Sequence, residues 1–301
     1  MKRLIPILGL LGFAVLGQAS GRTTVPESRD IGGRTYRLVW NDEFDGREID
    51  RTKWDVPTQF RQGASLWHPE NVWLTNGVAH FDIRREPSPT VRYASACLRT
   101  RKRAVWPDEK AVDLFSFTYG YAEVRCRLPK ELRCDYWAAF WLQSLGMSGA
   151  TTDDSRQELE VDVFETFSRW KPGHKCNAAF HWGGYREHHG HVNFVPGGPS
   201  LADDGWHIFG VLWTPDEYVF TVDGVETLRT DLKGLKPAEP SAAPSRGVLA
   251  TPAYLKLSCE AKAAMGPSPD FESPAPLRDA FEVDYIRVYQ EDKRKENHED
   301  H

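Results

Sequence analysis

Three carboxylates fall within six residues at Glu160-Val161-Asp162-Val163-Phe164-Glu165, and the residues between them are strand formers. In a regular strand side chains alternate between faces, so Glu160 and Asp162 point the same way, roughly 6.5–7 Å apart. Glu165, five positions beyond Glu160, points the other way unless one extra residue is accommodated. A β-bulge supplies that residue, and bulges concentrate beside active sites. Three acids on one face repel each other unless their charge is used. Two carboxyl groups about 5–5.5 Å apart suffice for glycosidic bond cleavage with retention, one as nucleophile and one as acid/base. An acidic stripe on a solvated strand is the plainer alternative.

The flanking residues favour chemistry. Tyr136-Trp137-Ala138-Ala139-Phe140-Trp141-Leu142 precedes the acids and Phe180-His181-Trp182 follows them. Aromatic side chains on neighbouring strands suit a sugar groove, because pyranose rings stack on indole faces. The chain carries 11 tryptophans in 301 residues, many of them near the acids, and a solvated stripe has no use for them.

The elements that must position these groups read as all-β. Segments of period-two alternation recur at Tyr36 to Trp40, Val72 to Leu74, Ala79 to Ile83, Tyr121 to Leu128, Glu158 to Phe164 and Tyr218 to Val222. Turn residues divide them: Asn76-Gly77, Gly183-Gly184 and Asp223-Gly224, the last a good hairpin between Tyr218–Val222 and Val225–Leu228. No segment sustains helical periodicity and no internal repeat is visible. Many short strands with frequent turns point to a sandwich or barrel. Gly146 to Ser155, Pro237 to Pro252 and Gly266 to Pro276 read as loops.

Met1-Lys2-Arg3, the apolar run Leu4 to Leu16 and Gly17-Gln18-Ala19 have the three parts of a secretory signal peptide, which predicts a secreted or periplasmic protein. No further segment is apolar enough to span a membrane. The expected organisation is a signal peptide at 1–19, a linker at 20–34, one catalytic domain at 35–290 and a charged tail at 291–301. The formal net charge of −5 leaves no basic footprint for nucleic acid. Five cysteines, with no C-x-x-C pair, make a zinc site a poor reading, and any disulfide pairing stays open.

Along most of its length the chain resembles the glycoside hydrolases of family 16, whose signature is E-x-D-x-x-E or the unbulged E-x-D-x-E. Leu38-Val39-Trp40-Asn41-Asp42-Glu43-Phe44-Asp45-Gly46 resembles the opening strand and Asp50-Arg51-Thr52-Lys53-Trp54 its continuation. Glu70-Asn71-Val72, Tyr119-Gly120-Tyr121-Ala122-Glu123-Val124-Arg125, Trp206 to Trp213, Tyr218 to Gly224 and Val283 to Tyr289 follow in order. The resemblance implies a concanavalin A-like β-jelly-roll sandwich with a curved sheet lining an open cleft. It implies a polysaccharide substrate, a monomer, and catalysis without a cofactor.

The same resemblance makes Glu160 the nucleophile, Glu165 the general acid/base and Asp162 an assisting carboxylate that helps hold Glu160. Two nearby anions should raise the pKa of Glu165. Trp141 and Trp137 are implied as groove residues, with core packing as the alternative. Glu123 and Arg125 match sugar-binding positions, with a structural ion pair as the alternative. His181 is expected to partner Glu165 or substrate, and Trp182 to wall the groove. His188-His189-Gly190-His191 reads as a solvated loop. Glu43, the Gly77 carbonyl and Asp284 match a structural calcium site, with oxygen ligands suited to a hard cation.

The implied function is an endo-acting retaining β-glycanase acting on a laminarin-like β-1,3-glucan. A galactanase acting on agar, porphyran or carrageenan is the alternative, with Arg156, Arg169, Lys171 and Arg186 as candidate anion contacts. A glycan-binding protein without catalysis is the rival from another class, and the intact acid triad argues against it.

Overall fold

The computed structural model describes residues 24–61, 65–86, 93–103, 110–127, 136–147, 155–167, 176–185, 188–195, 205–239, 242–261 and 277–293. The segment 1–19 expected to be a signal peptide, Gly266 to Pro276, Arg169, Lys171 and Arg186 lie outside these residues. Among the described residues no helix is long and apolar enough to cross a membrane.

In chain order, β1 (Ser28–Ile31) and β2 (Arg34–Asp42) form a hairpin. Next come β3 (Gln59–Arg61), β4 (Ser65–Trp67), β5 (Val72–Thr75), β6 (Val78–Arg85) and β7 (Tyr93–Arg99). A short ribbon pairs β8 (Arg101–Lys102) with β9 (Val112–Asp113). The middle of the chain gives β10 (Gly120–Arg127), β11 (Tyr136–Ser144), β12 (Leu159–Phe167), β13 (Asn177–Trp182) and β14 (Gly190–Phe194). The rest gives β15 (Trp206–Trp213), β16 (Tyr218–Val222), β17 (Val225–Thr230), β18 (Ala253–Ala261) and β19 (Leu277–Glu291).

These strands form two layers. The inner sheet runs β14-β13-β12-β11-β18-β7, every neighbour antiparallel. The outer sheet runs β17-β16-β15-β10-β19, and β19 pairs on its far side with β2 and β6. Each alternating segment named from sequence falls on one of these strands, except that Glu158 precedes β12 and Leu128 lies outside the described residues. The hairpins fall where Asn-Gly and Asp-Gly predicted them. Asn76 and Gly77 have φ of 49° and 71°, and Asp223 and Gly224 of 52° and 80°, the positive pairs a two-residue turn requires. One boundary needs correcting. Ser28–Ile31 was expected in a linker, yet it is the strand β1, bonded along β2.

Period-two alternation sets the core between the layers. Ala138, Phe140 and Leu142 of β11, Val161 and Phe164 of β12, Phe180 of β13 and Leu255 and Leu257 of β18 face it from the inner sheet. Val124, Phe209, Val211, Ile286 and Val288 answer from the outer sheet. The Phe164 and Phe209 rings stand 4.2 Å apart. Truncating Phe164 to alanine should destabilise the fold by about 3–5 kcal/mol, because a cavity forms where two sheets meet. A urea titration followed by tryptophan fluorescence measures this; a loss near zero would place Phe164 outside the core.

Candidate active site

The acids take one face because β12 carries an extra residue. On β11, Phe140 pairs with Phe164 and the next residue, Trp141, pairs with Asp162, so Val163 is the bulge. Glu165 then sits opposite Ala139, Asp162 opposite Trp141 and Glu160 opposite Gln143. All six residues line one cleft of about 300 Å³, while Val161 and Phe164 face the core. Tyr185, Lys256, Arg61, His181 and His189 complete the wall around Glu160 and Asp162.

Each acid has its own surroundings. Glu165 accepts from the indole N–H of Trp137 at 2.8 Å and from the Asn177 amide at 3.3 Å. Glu160 accepts at Oε2 from the Gln143 amide at 3.2 Å and from the Tyr185 hydroxyl. These donors come from Gln143 and Tyr185, not from Asp162 as the sequence suggested. Burial raises the pKa of Glu160, and Lys256, the Tyr185 hydrogen bond and Arg61 oppose that rise. Asp162 is 3% exposed, and its Oδ2 has no hydrogen-bond partner among the described residues. Burial, then the anions of Glu165 and Glu160, hold its pKa well above the usual range.

His181 faces Asp162 rather than Glu165, with its Nε2 at 3.5 Å from Oδ2. Its Nδ1 lies 2.9 Å from Nε2 of His189, and the two rings are parallel with centroids 5.1 Å apart. Burial and the two neighbouring histidines push its pKa down to about 3, so it gives Asp162 no cation at neutral pH. The His188 to His191 stretch is not wholly a solvated loop: Gly190 and His191 open β14, and His191 pairs with Glu239. Glu160, Asp162 and His181 each offer a ligand atom within 4.8 Å of the others, the one such cluster among the described residues.

The remaining sequence candidates divide by face. Trp137 and Trp141 line the cleft. The Trp141 indole donates to Ser258 Oγ at 3.1 Å, and the Lys256 ammonium sits 3.7 Å from its ring centroid. Trp182 does not wall the groove. It is fully buried in the core, its N–H bonds the Ala243 carbonyl, and its ring lies over Gly190, where a Cβ would come within 2.7 Å. Glu123 and Arg125 belong to β10 of the other sheet, away from the cleft. Glu123 pairs with Arg29 at 2.8 Å and Arg125 with Asp284 at 2.6 Å, so the structural alternative holds for both. Glu43 takes two hydrogen bonds from Arg287, at 2.9 and 2.8 Å.

Residues 110–246, which include β10 to β14 and the three acids Glu160, Asp162 and Glu165, match the family model of Glycosyl hydrolases family 16. The chain belongs to glycoside hydrolase family 16. It is a glycoside hydrolase, and catalysis in this family needs no cofactor. This family 16 enzyme is 27% identical over 270 residues to a β-glucanase of Rhodothermus marinus, covering 84% of the chain and 85% of that protein. It is 25% identical over 212 residues to β-porphyranase B of Zobellia galactanivorans, covering 63% of the chain and 66% of that protein. It shares its fold with an endo-β-1,3-glucanase of Pyrococcus furiosus at a TM-score of 0.64 and 23% identity, covering 89% of the chain and 99% of that structure.

The buried carboxyl of Asp162 has a consequence for stability. An unfolded aspartate ionises near pH ~3.9, whereas the folded group holds its proton to higher pH. The folded state therefore loses stability as pH rises from about 4 through the folded pKa. Asp162→Asn removes that loss. The variant should melt above the parent protein at pH 7 and level with it near pH 3, with activity reduced. Thermal melts at the two pH values decide this; a variant less stable at pH 7 would contradict it.

Proposed function

We propose that this enzyme is an endo-acting, retaining β-glycanase that cleaves a laminarin-like β-1,3-glucan. The observation that carries the reading is the bulge at Val163, which turns Glu160, Asp162 and Glu165 into one cleft with different donors on the two outer acids. Glu160 attacks the anomeric carbon while Glu165 gives its proton to the departing glycosidic oxygen. The C–O bond breaks and a glycosyl ester forms on Glu160. Water, deprotonated by Glu165, then releases the sugar with its configuration retained. Burial between the two raises the pKa of Asp162, which favours its protonated form and so limits the negative charge beside Glu160.

The glucan is supported by the names of the Rhodothermus and Pyrococcus proteins. A second reading, an anionic galactan, draws on the porphyranase likeness and on Arg61 and Arg103 in the cleft lining. Export across a membrane completes the proposal and rests on the Met1 to Ala19 segment. A reducing-end assay on laminarin, mixed-linkage glucan, agarose, porphyran and carrageenan tests it. Laminarin should be cut, and Glu160→Gln or Glu165→Gln should lower kcat by about a thousandfold or more. Release from porphyran alone would replace the substrate with the second reading.

A structural calcium ion at Glu43, the Gly77 carbonyl and Asp284 does not fit this arrangement. Arg287 grips Glu43 and Arg125 takes Asp284, so a dication would meet two guanidinium groups. EDTA should leave the melting temperature unchanged. A drop of several degrees that calcium reverses would restore the site.

A further inference from the structure

Lys256 lies in the floor of the cleft at 1% exposure, and the mechanism above gives it no task. It sits on β18 opposite Trp141, and its ammonium donates to Gln143 Oε1 at 2.7 Å. The Tyr254 hydroxyl donates to the same oxygen. The other end of that amide, Nε2, donates to Glu160 Oε2 at 3.2 Å. An ammonium can only donate and an ionised carboxylate can only accept, so both ends demand the same orientation of Gln143. The lysine therefore reaches the carboxylate through one oriented amide.

We propose that Lys256 is a positioning residue for the nucleophile, acting through Gln143 to fix the Glu160 carboxylate and keep it ionised. The inference rests on the reading of Glu160 as nucleophile. Packing alone does not account for a lysine here, since a buried ammonium is expensive without a partner and an apolar chain would fill the same space. Glu160 is faced by Asp162 from its own strand, His181 from β13, Lys256 from β18, Arg61 from β3, and Tyr185 and His189 from the segment after β13. Arg61 is engaged by Glu260 at 2.9 Å, which leaves the lysine as the cation directed at Gln143 and Glu160. Lys256 itself is faced by Arg103, Arg61 and Cys97, and burial with Arg103 holds its pKa below the ordinary range.

The test compares Lys256→Met, Lys256→Arg, Gln143→Leu and the Gln143→Leu/Lys256→Met double variant by kcat, KM and the pH profile of kcat/KM on laminarin or on whichever polysaccharide the enzyme cuts. Lys256→Met should lower kcat on the order of 10- to 100-fold with little change in KM, because a small misplacement of the nucleophile is sufficient. Its acidic limb should move up by about one pH unit, since a cation that favoured the carboxylate has gone. Lys256→Arg should keep the limb near its original place. The double variant should be no worse than the poorer single, as expected of two residues in one chain of contacts. A limb that stays put in Lys256→Met, or losses that add in the double variant, would overturn the proposal. Should Lys256→Met fail to fold, Gln143→Leu reads the same link through the same limb. Azide rescue of Glu160→Ala separates the two assignments. Rescue with an unmoved limb sinks the role of Lys256 alone, and no rescue sinks the nucleophile reading and this role with it.

Discussion

Val163 occupies no pairing position of its own, and both the core and the cleft depend on that. Were Val163 to pair in the regular way, the register of β12 beyond Asp162 would shift by one residue, and Phe164 would turn into the cleft while Glu165 entered the core. The place Glu165 would take is lined by Phe209 and Phe281. Burying a carboxyl there without a hydrogen bond would cost several kcal/mol, so the bulge is a condition of folding as much as of catalysis. The tilted, closely packed Phe164 and Phe209 rings hold the register that the bulge permits. The same step of the backbone that repairs the core thus assembles the acids.

The two sheets treat charge differently. On the outer sheet Glu123 meets Arg29, Asp284 meets Arg125 and Glu43 meets Arg287, each within 3 Å. Those pairs close on themselves and lie on the side away from the core. In the cleft Glu160 and Glu165 have neutral donors, an indole, two amides and a phenol, together with a lysine acting at second hand. Neutral donors stabilise a carboxylate without cancelling its charge, which leaves Glu160 able to attack a carbon. Asp162 Oδ2, with no hydrogen-bond partner among the described residues, is the point where satisfaction of the fold gives way to the site.

Much of this was legible in residues 160–165 and their flanks. Alternation marks the strands, and the spacing of Glu165 from Glu160 calls for a bulge if the three acids are to share a face. Trp182 misled because alternation fixes which residues share a face but not which face is inside; Glu160 pairs with His181, so its neighbour Trp182 falls to the core. Glu123 and Arg125 misled because sharing a face within β10 says nothing about which sheet β10 joins. Lys256, Tyr254 and Ser258 were overlooked, although Tyr254-Leu255-Lys256-Leu257-Ser258-Cys259-Glu260 alternates polar and apolar residues in a strand of the inner sheet. That pattern, in a strand expected to be half-buried, is a signal for a lined cleft.

The polar row of β18 also bears on the glycan. Arg61 and Arg103 would serve an anionic polysaccharide if their charge were available to it. Arg61 bonds Glu260, stacks 4.1 Å from the Trp67 centroid, and so arrives in the cleft already neutralised. Arg103 is engaged with the Tyr254 hydroxyl and raises the difficulty of charging Lys256. A cleft whose cations are committed to Glu260, Tyr254 and Gln143 has little left for a sulfate ester. Removing Glu260 would free Arg61, so the balance between neutral and anionic glycans is set by partners one step behind the lining, and as built it favours the neutral glucan.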